Sequence, residues 1–207
     1  MEEYQQKIEQ IKSELEETPE NADLQNELGI LYHCTGSYRQ AVETYRKALE
    51  YNPEDHRIYF NLGNTFMELE QVEFAINSYM DALDLKPDYI PALTHLADLY
   101  EQAGEEEKAT ELFEYTANVN PDNPMSHFNL GNHYARIGEG RSAIRSYEEA
   151  IRIDPEFADA YANIGVVLKH AGQYQAAAEY LEKALSLDSE NTYIKNELED
   201  CRKQLDT

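Results

Sequence analysis

Two identical pentapeptides, Phe60-Asn61-Leu62-Gly63-Asn64 and Phe128-Asn129-Leu130-Gly131-Asn132, set an aromatic ring beside two carboxamides at two points of the chain. A carboxamide offers two N–H donors and one carbonyl acceptor, the complement of a peptide unit. A row of asparagines can therefore hold a polypeptide backbone whatever side chains it carries. Bond-making chemistry has no comparable set. No glycine-rich phosphate loop follows a strand, no Cys-x-x-Cys pair occurs, and no Ser or Cys nucleophile has His and Asp at a recognisable spacing. Of the six histidines, His127 and His133 fall about 240° apart on one helix and cannot share a metal. The others are scattered, and all are expected to be polar groove or surface residues. The sequence thus predicts no enzyme, no metal and no cofactor.

The elements that must position those amides follow from a period. Pro19, Pro53, Pro87, Pro121 and Pro155 recur every 34 residues, and aligning the chain on them brings other columns into register. The seventh position reads Leu28, Leu62, Leu96, Leu130, Ile164 and the eighth Gly29, Gly63, Ala97, Gly131, Gly165. Ala41, Ala75, Ala109, Ala143 and Ala177 fill the twentieth, and Tyr45, Tyr79, Phe113, Tyr147 and Leu181 the twenty-fourth. Small residues let two helices approach, large ones fill the space beside them, and proline stops the second helix.

This pattern resembles the tetratricopeptide repeat, a 34-residue helix-turn-helix, over nearly the whole chain. Gln25, Thr116 and Ser189 are its departures. The resemblance implies an all-α, right-handed superhelical solenoid of antiparallel helix pairs. The expected organisation is an N-terminal capping helix and junction over 1–21, five repeats over 22–191 (22–55, 56–89, 90–123, 124–157, 158–191) and a C-terminal capping helix over 192–207. The capping expectation rests on two amphipathic stripes, Tyr4, Ile8, Ile11, Leu15 and Ile194, Leu198, Cys201, Leu205, which can cover the ends of a solenoid. Such ends read as those of a complete unit.

In the first helix of a repeat, positions four, seven, eight and eleven cluster on one face, while two, five, six, nine, twelve and thirteen fall opposite. The resemblance implies that this second face lines a concave groove that holds peptides. On it lie the candidate contacts Arg57, Phe60, Asn61, Asn64, His95, Asp98, Phe128, Asn129, Asn132, Arg136, Asn163 and Lys169. The sixth-position column Glu27, Asn61, His95, Asn129, Asn163 is similar to the asparagine ladder in the tetratricopeptide domain of O-linked N-acetylglucosamine transferase, which grips the backbone of a bound polypeptide. Phe60 and Phe128 have two readings here, contacts for apolar ligand side chains or packing against the neighbouring helix.

With 41 acidic against 17 basic residues the chain has a net charge of −24, which argues against nucleic acid or an anionic membrane as partner. The groove face carries Asp23, Glu27, Glu68, Asp98, Glu101 and Asp159 against Arg57, Arg136 and Lys169, so most of the acid lies elsewhere. The N-terminal stretch MEEYQQKIEQ has neither a basic start nor an apolar run, and a cytoplasmic chain without membrane insertion is expected. Cys34 and Cys201 fall at opposite ends of the array and are not expected to pair. The expected function is a non-catalytic scaffold that binds an extended polypeptide segment of a protein or peptide partner. The alternatives are a self-assembling scaffold forming homo-oligomers and the substrate-recognition arm of a larger transferase.

Overall fold

The computed structural model describes residues 2–206. It consists of twelve helices: α1 (Glu2–Glu17), α2 (Ala22–Cys34), α3 (Tyr38–Tyr51), α4 (His56–Glu68), α5 (Val72–Leu85), α6 (Ile90–Gln102), α7 (Glu106–Val119), α8 (Pro124–Arg136), α9 (Gly140–Ile153), α10 (Ala158–His170), α11 (Tyr174–Leu187) and α12 (Thr192–Leu205). No strand occurs among the described residues. The chain divides into two compact units, one ending at Leu99 and the other starting at Tyr100, with the division inside α6.

In the first unit α2 packs on α3, α4 on α5, α3 on α4, and α1 lies on α2. In the second, α8 pairs with α9 and α10 with α11, with α7 beside α8, α9 beside α10, and α12 closing on α11. Side-chain caps set the starts of three first helices and of α12. The Oδ1 atoms of Asn21, Asp55, Asn123 and Asn191 accept backbone N–H bonds from Leu24, Arg57, Met125 and Tyr193, satisfying donors that a helix start leaves open. The turn between the helices of a pair reverses through a left-handed residue, Gly36, Gly104, Gly138 or Gly172. In the second pair that residue is Glu70, with φ 57°.

Each unit builds its core from the twentieth- and twenty-fourth-position residues. Ala41, Ala75, Ala143 and Ala177 are fully enclosed, and so are Tyr45, Tyr79, Tyr147 and Leu181. Of the sequence departures, Gln25 is buried with its Nε2 donating to the Pro19 carbonyl at 3.4 Å. Thr116 is buried with its hydroxyl donating to the Leu112 carbonyl at 2.7 Å. The outer helices bury Ile8, Ile11 and Leu15 in α1 and Ile194, Leu198 and Cys201 in α12. Their stripes are shorter than expected, because Tyr4 and Leu205 lie at the chain ends and remain exposed.

Candidate peptide-binding face

The repeated pentapeptide surrounds a buried tyrosine in each unit. A Cβ on Gly63 would stand 2.6 Å from the Tyr79 ring, and one on Gly131 would stand 2.5 Å from the Tyr147 ring. Only glycine admits the ring at this distance. The ring's hydroxyl, the one polar atom carried into the interior, donates to the next residue of the motif: Tyr79 Oη to Asn64 Oδ1 at 2.7 Å and Tyr147 Oη to Asn132 Oδ1 at 2.8 Å. Burial raises the pKa of both tyrosines, that of Tyr147 to about 12, so both hydroxyls remain donors at neutral pH.

The motif's first residue completes the cradle. Phe60 lies 5.8 Å from Tyr79 and 5.3 Å from Tyr89, and Phe128 lies 5.7 Å from Tyr147 and 4.8 Å from Phe157. Tyr89 and Phe157 occupy the junction position that Asp55, Asn123 and Asn191 use as a cap. Where the fifth position is phenylalanine, the next junction carries an aromatic partner. Where it is Asn26, Thr94 or Ala162, the junction carries an Asx cap. Both phenylalanines are half-buried in these contacts, so the packing reading accounts for most of each ring.

The amides therefore have intramolecular partners before any ligand arrives. Asn61 Nδ2 donates to Asn26 Oδ1 at 3.1 Å, and Asn163 Nδ2 donates to Asn132 Oδ1 at 2.8 Å. The Nδ2 groups of Asn64 and Asn132 and the Oδ1 of Asn61 stay uncommitted among the described residues, and Asn129 makes no side-chain hydrogen bond there. His95 takes the sixth position after Tyr79, with Nδ1 3.5 Å from its hydroxyl and its ring 5.4 Å from Phe60. Desolvation among these rings lowers the His95 pKa against the opposing pull of Asp98, although part of the imidazole reaches the surface.

The three basic candidates are tied into ion pairs. Arg57 forks onto Asp55, with Nε donating to Oδ1 at 2.9 Å and an Nη to Oδ2 at 2.6 Å. These bonds hold the Asp55 pKa below its ordinary value. Lys169 pairs with Glu197 of α12, which raises the lysine's pKa and fastens the last helix to α10. Arg136 pairs with Glu101.

Two expectations need correction. His133, expected in the groove or on the surface, is 1% exposed. Its Nδ1 lies 2.6 Å from Glu101 Oε1 and its Nε2 2.7 Å from Thr110 Oγ1, so both ring nitrogens find polar partners in the interior. The tenth-position column, Leu31, Thr65, Leu99, His133, Val167, is the signal that could have shown it, since its other members are mostly apolar. Ala162, assigned to the outward face, is 3% exposed, because its single methyl is too short to leave the seam it stands over.

Sequence reasoning also missed a cavity of about 890 Å³ in the second unit, bounded by α8, the turn after it, α9 and α10. Asn132, Arg136 and Asn163 line it from the expected groove face. Arg141 and Ile144 line it from α9, a second helix outside the expected groove face.

Family models of the tetratricopeptide repeat match residues 32–70 and 56–89, and a model of the auxiliary subunit of N-terminal acetyltransferase A matches 122–205. No curated protein matches the chain by sequence. Among solved structures, MamA is similar at 26% identity and TM-score 0.73, over 83% of this chain and 93% of its own. YrrB, described as a TPR protein with an unusual peptide-binding site, aligns at 21% identity and TM-score 0.73 over 90% and 96%. The C-terminal part of a TPR repeat-containing protein from Cytophaga hutchinsonii aligns at 16% identity and TM-score 0.82 over 96% and 80%. With its 34-residue period, its helix pairs and these matches in agreement, the chain carries tetratricopeptide repeats and has an all-α solenoid fold.

Proposed function

We propose that this protein-interaction scaffold binds an extended polypeptide segment along the amide-bearing faces of its first helices, without catalysing a reaction on it. The observation that carries this reading is the meeting of Asn132, Arg136 and Asn163, three residues of the expected groove, in the wall of the 890 Å³ cavity. A concave site with a few convergent polar groups on apolar walls is the usual form of a binding site. The uncommitted amide groups of Asn61, Asn64, Asn129 and Asn132 supply donors and acceptors for a backbone. The compartment we infer is the cytoplasm, in keeping with the free thiols of Cys34 and Cys201. No helix among the described residues is long and apolar enough to cross a membrane. The test is peptide selection on the full chain, followed by calorimetric titration of the best peptide. Replacing Asn61 and Asn129 together by Ala should cost about 1 to 3 kcal/mol of binding. Equal affinity would show that binding occurs on another surface.

A second reading has one observation behind it, the match of residues 122–205 to an acetyltransferase auxiliary subunit. In this reading the protein is the non-catalytic partner of a transferase, and the second unit makes the contact. Copurification of an acetyltransferase activity with the full chain would support it, and a native preparation that carries no such activity would count against it.

A further inference from the structure

We propose that the cavity between α8, α9 and α10 is an anchoring site for an acidic side chain, Asp or Glu, next to an aliphatic residue of the bound segment. The proposal rests on the peptide-binding reading above and names the chemistry that this part of the face selects.

One residue in five is acidic, 41 of 207, so about three of the fifteen residues lining the cavity would be acidic if its walls sampled the chain evenly; none is. The walls instead bring together Arg136, Arg141 and His170. Glu101 reaches Arg136 from outside the lining and compensates it. Arg141 has no ion-pair partner among the described residues. It stands in the first turn of α9, where the helix dipole already disfavours a positive charge. A carboxylate in the cavity would relieve both conditions.

Two repeats earlier, around the same tyrosine cradle, the positions of Arg136 and Arg141 are held by Glu68 and Glu73. Reversal of charge at both positions, while the cradle keeps its residues, sets this cavity apart from the matching surface of the first unit. Selection between partners comes from such reversals, since a like charge repels the wrong segment as an opposite one attracts the right one.

Ile144, Val166 and Val167 present apolar surface beside Arg141, and the volume lies within the range of roughly 300–1,000 Å³ typical of ligand clefts. Asn132 and Asn163 on the same wall suit a backbone passing through, which favours a side-chain carboxylate within the segment over a chain terminus.

The experiment is selection from a displayed random-peptide library whose peptides are fused at both ends, run in parallel on the full-length wild type and on Arg141→Gln. Arg141 is exposed and its removal leaves no buried group unpaired. The wild type should enrich peptides with Asp or Glu beside Val, Ile or Leu, and the variant should still select peptides but lose that preference. The best wild-type peptide, synthesised with an acetylated N-terminus and an amidated C-terminus, should bind the variant about tenfold more weakly. Its Glu→Gln or Asp→Asn form should bind the two proteins equally. Selected peptides without an acidic preference, a preference that survives Arg141→Gln, or binding that requires a free C-terminal carboxylate would each overturn the anchor and leave the peptide-binding reading standing. A library from which neither protein selects any peptide would overturn both.

Discussion

Tyr79 in the first unit and Tyr147 in the second occupy nearly the same cradle, and the two cradles differ in what surrounds them. Each ring rests on a glycine, donates to the asparagine that follows it and meets a phenylalanine backed by a further aromatic. At equivalent repeat positions the first unit carries His95, Glu68, Glu70 and Glu73 where the second carries Asn163, Arg136, Gly138 and Arg141, the four that line the cavity beside Tyr147. The shared residues are those that bury a tyrosine and satisfy its hydroxyl. The differing ones meet solvent, close the polar network or carry charge. Identity between the two pentapeptides therefore reports a common packing requirement and a shared set of backbone-holding amides, while selectivity for ligand side chains is expected where the copies diverge.

The largest effect should follow removal of the ring itself. Tyr79→Ala and Tyr147→Ala should each cost about 3 to 5 kcal/mol in chemical denaturation, because each opens a cavity in its core. If one is tolerated and the other is not, the cradles are not equivalent. Next come the acceptors. Asn132→Ala should cost about 2 kcal/mol and Asn64→Ala about 1 kcal/mol, since Asn132 Oδ1 accepts from both Tyr147 and Asn163, whereas His95 Nδ1 stands near enough to take over the Tyr79 hydroxyl. Equal costs would show that the closing residue is immaterial.

A smaller effect distinguishes His95 from Asn163. Burial holds the His95 pKa below its ordinary value of 6.5 in the folded state, so the unfolded chain binds the proton more readily. This contribution to stability is complete above about pH 6.5 and is lost as pH falls through the folded pKa. Melting temperatures between pH 7.5 and 5 should fall less for His95→Asn, which carries the second unit's type of residue, than for the wild type. His56, whose pKa is also lowered by burial, leaves a residual slope. The smallest effect is a gain. Glu70 holds a left-handed conformation with φ 57° where the second unit uses Gly138 with φ 84°, so Glu70→Gly should stabilise the protein by about 0.5 to 1 kcal/mol. An unchanged denaturation midpoint would show that the turn carries no strain.

The period alone placed the helices. First helices start at Ala22, His56, Ile90, Pro124 and Ala158, because each must turn its seventh, eighth and eleventh residues to a core that the same residues of the neighbouring helices build. Local spacing suffices for this, since a helix maps sequence position onto a face. It does not say what a side chain half-way between faces will touch. Asn64 and Asn132 read as groove amides, yet half of each amide is taken by a tyrosine hydroxyl that arrives from the second helix of the pair, fifteen residues away in sequence. His133 read as a surface residue until Glu101 and Thr110, from two other helices, supplied partners for both of its nitrogens. Arg141 carried no signal of its own on a second helix, and only the packing of α9 beside α10 turned it toward Val166, Val167 and Asn163. The sequence determined which residues form helices and which face each helix buries, because backbone geometry and apolar spacing are local. The tertiary structure decided which polar groups are consumed inside the fold and which remain for a ligand, because that depends on atoms brought within about 3 Å from different helices.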